Sequence, residues 1–174
     1  MDNEILIAVL ELGLALFIGI GTLFLTKFIF TKIYEKKTGE DFPYKNLAFM
    51  IFLSGSIFGV AWLIYGITAP LDTTLVMLMS SDASGWQILI EFSKYMGLFL
   101  FFGYILGFGL NYLTFLLFST LTKKVNEFDE IKEGNVGVAI MISVVIIVMS
   151  LFCQAPFIDF LESMMPFPEI PGFR

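Results

Sequence analysis

The chain has 174 residues, a formal net charge of −6, 57% hydrophobic residues and only 15% charged ones. Soluble domains hold roughly 45–50% and about 25%, so the composition excludes a soluble globular protein and points to an integral membrane protein. One cysteine and no histidine exclude an internal disulfide and argue against a zinc or transition-metal centre.

A hydrocarbon core about 30 Å thick is crossed by about 20 apolar residues in a helix. Four stretches meet that length, at about residues 5–30, 47–68, 97–121 and 136–152. They are continuously apolar rather than alternating, which predicts helices and not a barrel. The expected fold class is therefore all-α, an integral membrane protein with four transmembrane helices.

In chain order, Met1-Asp2-Asn3-Glu4 lacks the positive region of a cleavable signal, so the first span is expected to be retained. Glu11 lies inside that span. A carboxylate at such a depth is costly and is a candidate functional group; a shallow helix with Glu11 at the outer interface is the simpler reading. Ala15 and Gly19 form a small-xxx-small pair, and Lys27 is expected to snorkel to headgroups. A lysine-rich loop with Lys36, Lys37 and Lys45 leads to Asn46, where the second span begins, and Gly55 and Gly59 make a second small-residue pair there.

Residues 71–86 read as an outer connection with Met77, Met79 and Trp86. Glu91 and Lys94 then share one helical face and are expected to pair at the outer edge. The third span carries Gly103 and Gly107, and near its centre Asn111, flanked by Tyr112 and Thr114. Asn111 reads as inter-helix glue or as the lining of a polar cavity. A second loop with Lys123, Lys124, Glu127, Asp129, Glu130 and Lys132 leads to Asn135 and the fourth span. Cys153 lies in that apolar region and is expected to pack. Residues 157–165 space apolar and acidic side chains as an interfacial helix would, and Pro166, Pro168 and Pro171 predict an extended tail.

The order of span, lysine loop, Asn and second span occurs twice. One membrane domain over residues 1–174 is expected, with repeat one at about 1–70, an outer connection at 71–86, repeat two at about 87–156 and an outer tail at 157–174. Each repeat would be a hairpin, the two forming a parallel repeat about an axis along the membrane normal. Asn46 and Asn135 then stand at equivalent positions where a helix starts. They read as helix caps or cross-helix bonds, with substrate contact as the other reading.

The stretch Glu130-Ile131-Lys132-Glu133-Gly134-Asn135-Val136-Gly137-Val138-Ala139-Ile140 sets an acidic-apolar step, then Gly-Asn, then small residues opening a helix. It resembles the YjfL-like bacterial inner-membrane family, domain of unknown function 350, which carries two tandem two-helix units. The first repeat departs from it, with Lys45 in place of the Gly before Asn46 and Pro43 upstream. The resemblance implies fold and a bacterial inner-membrane location. It implies no particular activity.

Eight of the ten basic residues lie in or beside the two lysine loops. Short basic loops mark the cytoplasmic side, so both termini and the central connection are expected outside. The acids left outside could concentrate cations there. The leading expectation is a structural or assembly subunit of an inner-membrane complex, a homo-oligomer or bound to a partner membrane protein. The alternative is a cation-conducting channel or small transporter, resting on Glu11, Asn111 and the acidic outer face. Nothing pairs a nucleophile with a base, so no enzyme is expected. Phosphate loops and nucleic-acid-type basic patches are also lacking in the sequence, so neither a cofactor nor a nucleic-acid partner is expected.

Overall fold

A computed structural model of the protein describes residues 2–39, 45–81, 84–122 and 127–165; the side chains of residues 2–8, 10, 11, 119, 121 and 122 fall outside that description. The elements are α1 (Asp2–Thr38), α2 (Leu47–Tyr65), α3 (Thr68–Met79), α4 (Gly85–Thr122), α5 (Glu127–Lys132) and α6 (Val136–Glu162), with no strand among the described residues. Four helical stretches, Leu12–Thr38, Leu47–Met79, Gly85–Phe118 and Val136–Glu162, are long and apolar enough to cross a membrane. The protein is a multi-pass, all-α membrane protein.

The helices run past the limits that hydropathy sets. At about 1.5 Å per residue, α1 and α4 each reach roughly 55 Å, so they extend beyond a core about 30 Å thick or cross it at a tilt. The expected outer connection is largely helical, because α3 continues from α2 after a break at Gly66 and Ile67. Pro70 explains the break. A proline clashes with the carbonyl four residues back and donates no bond to it, and here that carbonyl belongs to Gly66. Placed in the first turn of α3, Pro70 costs no helical hydrogen bond. Pro156, by contrast, sits inside α6, which continues to Glu162. Residues 157–162, expected as a separate interfacial helix, are therefore the last turns of α6.

Helix α6 packs most closely on α2. Their contacts rise in step, Gly55 against Ser143, Gly59 against Ile146 and Ser150, and Gly66 against Gln154, so the two helices run parallel. Helix α1 meets α2 in the opposite sense, Tyr34 beside Phe49 and Phe30 beside Phe52. Between α1 and α4 the contact is made by side chains, a hydroxyl pair at Thr22 and Tyr104 (3.0 Å) and the rings of Phe30 and Phe108 (centroids 6.2 Å apart).

Lipid is as apolar as a leucine core, so helix association depends on close packing and polar bonds rather than on hydrophobic transfer. The α2–α6 seam follows that rule. A Cβ at Gly55 would stand 2.5 Å from Ser143 Cβ, and one at Gly59 2.7 Å from Ile146 Cγ2. Across the same seam the Ser143 hydroxyl is shared between Ala139 O of its own helix (2.8 Å) and Ile51 O of α2 (3.1 Å), and Gln154 Nε2 donates to Trp62 O (3.1 Å). On the other side of α2, Gly103 lies against Ile64 and Ile67, and Gly107 against Val60.

At the lysine-bearing end, α5 tucks Ile131 fully into the bundle. Its end is closed by Gly134 at φ 86°, with Asn135 N donating to Glu130 O (2.8 Å) and Gly134 N to Ile131 O (3.1 Å). This is the paired-bond helix terminus that needs a left-handed residue, which glycine supplies without Cβ strain. The Gly-Asn pair thus ends one helix and caps the next.

Candidate functional site: a cavity beside Asn111

The two helix-start asparagines do different work. Asn46 Oδ1 accepts from Phe49 N (3.0 Å), capping α2, while its Nδ2 donates to Ile131 O (2.8 Å) and Lys132 O (3.0 Å). Those carbonyls end α5, so Asn46 ties the start of α2 to the second lysine loop. Asn135 Oδ1 accepts from Val138 N (3.2 Å), but its Nδ2 turns to Glu130 Oε2 (2.6 Å) of its own loop. Both are caps in the ordinary sense. Only Asn46 reaches across the chain.

Where α1 and α4 separate toward the lysine-bearing end, a cavity of about 500 Å³ opens between them and α5. Phe30 and Phe108 form its apolar wall, and Phe115 stacks on Phe128 at 4.7 Å and 10°. Two charged residues belong to its lining. Lys37 Nζ lies 4.1 Å from the centre of the Phe128 ring, a cation–π contact. Glu127 is 5% exposed. Ile33, Tyr112 and Leu116, also in the lining, are exposed on the outer surface of the bundle, so the mouth opens sideways.

Asn111 belongs to the cavity's lining and is 2% exposed. Its Nδ2 donates to Gly107 O (2.8 Å), one turn back on its own helix. Its Oδ1 is buried and has no hydrogen-bond partner. The printed bond of Asn111 thus runs within α4 rather than between helices. An unmatched buried acceptor costs roughly 1–3 kcal/mol.

The other sequence candidates lie elsewhere. Glu11 falls on α1, and its side chain is outside the described residues. Glu91 and Lys94 pair at 2.6 Å with both side chains well exposed. Such a pair contributes about 0–1 kcal/mol. Ala15 and Gly19 are exposed beside a groove that runs along α1 to Tyr65, Thr68 and Leu71. Glu40, Asp41, Asp82, Lys123, Lys124 and the tail from Pro166 onward lie outside the described residues.

Sequence reasoning missed Lys37, Glu127 and Phe128 as one group, because they sit in two loops far apart in the chain. Gln154 was missed too, although a lone amide in an apolar span was a usable signal.

Fold and cavity together define a four-span helical membrane protein with a lateral, partly polar chamber at its lysine-bearing end. A family model, Domain of Unknown Function (DUF350), matches residues 4–157, and the chain belongs to that family. No curated protein and no solved structure matches the chain.

Proposed function

We propose that this protein is a structural or assembly subunit of a bacterial inner-membrane complex, acting as an oligomer with itself or with a partner membrane protein. In this reading it is one membrane domain of two parallel hairpin units. Both termini face outward, and the lysine loops face the cytoplasm.

The observation that carries the proposal is the closed α2–α6 seam. Gly55 and Gly59 bring the two helices into close contact, Gly55 against Ser143 and Gly59 against Ile146 and Ser150. A pore along the axis between the halves would need that space. The long stripe of exposed apolar residues on α1, including Phe17, Phe24 and Phe28, suits lipid or an apolar neighbour.

A cation-conducting channel or small transporter is the second reading. It draws on the unpartnered Asn111 Oδ1 and on the Thr26 and Thr114 hydroxyls, also buried without partners, together with Glu11 in the first span. Oxygen atoms of this kind replace the water that an ion loses.

Purified protein reconstituted in a planar bilayer separates the two. The subunit reading expects no current and an oligomer or co-purified partner in mild detergent. Cation current abolished by Glu11→Gln would reverse the ranking. Cysteine labelling tests the orientation: Lys36→Cys should react only from the cytoplasm and Gln87→Cys only from outside.

A further inference from the structure

We propose that the cavity between α1, α4 and α5 binds one anionic phospholipid of the lysine-side leaflet, with an acyl chain inside and the phosphate at Lys37. The inference goes beyond the subunit and channel readings and depends on neither. The cavity's volume of about 500 Å³ lies within the range of roughly 300–1,000 Å³ typical of small-molecule sites. Its lining runs from Ile29 to Lys37 along α1 and from Phe108 to Leu116 along α4. That is about 12 Å of helix at 1.5 Å per residue, most of one leaflet of a hydrocarbon core about 30 Å thick. An acyl chain laid against Phe30 and Phe108 thus has its head end at the level of Lys37.

The two charged side chains of the lining are not equivalent. Glu127 is 5% exposed and has a partner of its own, so its carboxylate is not offered to a ligand. Lys37 is exposed, in the last turn of α1. Its ammonium rests on the Phe128 ring, which lies flat on Phe115, and among the described residues no carboxylate pairs with it. A ring face positions a cation without neutralising it. The cavity therefore sets one open positive charge above an apolar wall, which fits an acyl chain with an anionic head. Its lateral mouth favours a phospholipid over a free fatty acid. Ile33 and Leu116 line that mouth and are exposed on the bundle surface, so a second acyl chain stays in the bilayer against them. A phosphodiester also keeps its charge at neutral pH, whereas desolvation raises the pKa of a fatty-acid carboxyl.

The test is native mass spectrometry of the delipidated full chain in nonionic detergent, titrated separately with phosphatidylglycerol, phosphatidylethanolamine and oleate. The expected result is one phosphatidylglycerol per chain, held on the order of tenfold more tightly than either other probe. Lys37→Met should lower phosphatidylglycerol affinity to that of phosphatidylethanolamine. Lys36→Met, one residue away and outside the lining, should leave it unchanged. Leu116→Trp narrows the mouth and should weaken both phospholipids alike. Leu116 and both lysines are exposed, so all three variants should keep the wild-type elution volume and helical signal; Leu116→Trp keeps the test open should Lys37→Met misfold. Equal affinity for the two phospholipids, oleate bound as tightly as phosphatidylglycerol, equal losses in Lys36→Met and Lys37→Met, or undiminished affinity in a folded Lys37→Met or Leu116→Trp would each overturn the proposal.

Discussion

The two sides of the bundle are built on opposite principles. Between α2 and α6, glycines remove side chains so that serines and backbone can meet, and the seam has no room for an added methyl at Gly55 or Gly59. Between α1 and α4 the helices stay apart, with the Thr22–Tyr104 hydroxyl pair and the Phe30–Phe108 ring pair between them, and a cavity opens whose lining includes Asn111. Lipid gives no hydrophobic reward for bringing helices together, so close approach depends on small residues that meet across the seam, as Gly55 and Gly59 do on the first side. The second is free to open.

The largest effect should come from filling the tight side. Gly55→Leu puts a Cβ 2.8 Å from Ser143 Cα, and backbone cannot rotate away as a side chain can. Overpacking costs about 1–3 kcal/mol and occasionally more; with backbone in the way, a loss of about 3 kcal/mol or more is expected in denaturant titration of the detergent-solubilised protein. The Gly55 and Gly103 faces, small-residue positions in the sequence, are occupied inside the chain. Substituting them therefore tests folding, not assembly.

Next come the caps. Asn46→Ala removes a cap and two bonds to the end of α5, a loss of about 2 kcal/mol, whereas Asn135→Ala removes a cap and a bond within its own loop, about 1 kcal/mol. Equal losses in matched unfolding titrations would mean that the bridge from Asn46 to Ile131 and Lys132 contributes nothing.

Much of this fold was legible because hydropathy and helix chemistry are local. The four spans follow from apolar length, and both asparagine caps from a polar residue set directly before an apolar run. The misses are non-local or hidden by a strong average. The break at Gly66 sits in an unbroken apolar run, although Pro70 was its signal. The fourth span read from hydropathy stops near residue 152, yet α6 runs through Pro156 to Glu162. The cavity depends on Phe128 returning from the second loop to lie beneath Lys37, a contact that no periodicity encodes. Asn111 was singled out for its depth, but the orphaned Oδ1 appears only once its Nδ2 is seen bonded to Gly107.

On the open side the sign reverses. Asn111→Leu removes a buried acceptor that has no partner, and replacing it by an apolar group of similar size should raise the stability of the protein by about 1 kcal/mol. The same denaturant titration measures it. A loss of similar size would mean that Oδ1 is satisfied in the folded protein.

The smallest effect on the monomer is expected at Gly19. Nothing lies within 4 Å of where its Cβ would be, and leucine suits the bilayer at that depth, so Gly19→Leu should shift unfolding by less than about 0.5 kcal/mol. That neutrality makes it informative about assembly. Ala15 and Gly19 are the small-residue pair that the chain leaves exposed, beside a groove along α1. If a second copy packs there by close backbone approach, Gly19→Leu blocks the approach sterically while each chain stays folded. Oligomer mass in mild detergent should then fall with the unfolding midpoint unchanged. Unaltered mass in a folded variant would assign the α1 face to lipid and move any subunit contact elsewhere on the bundle.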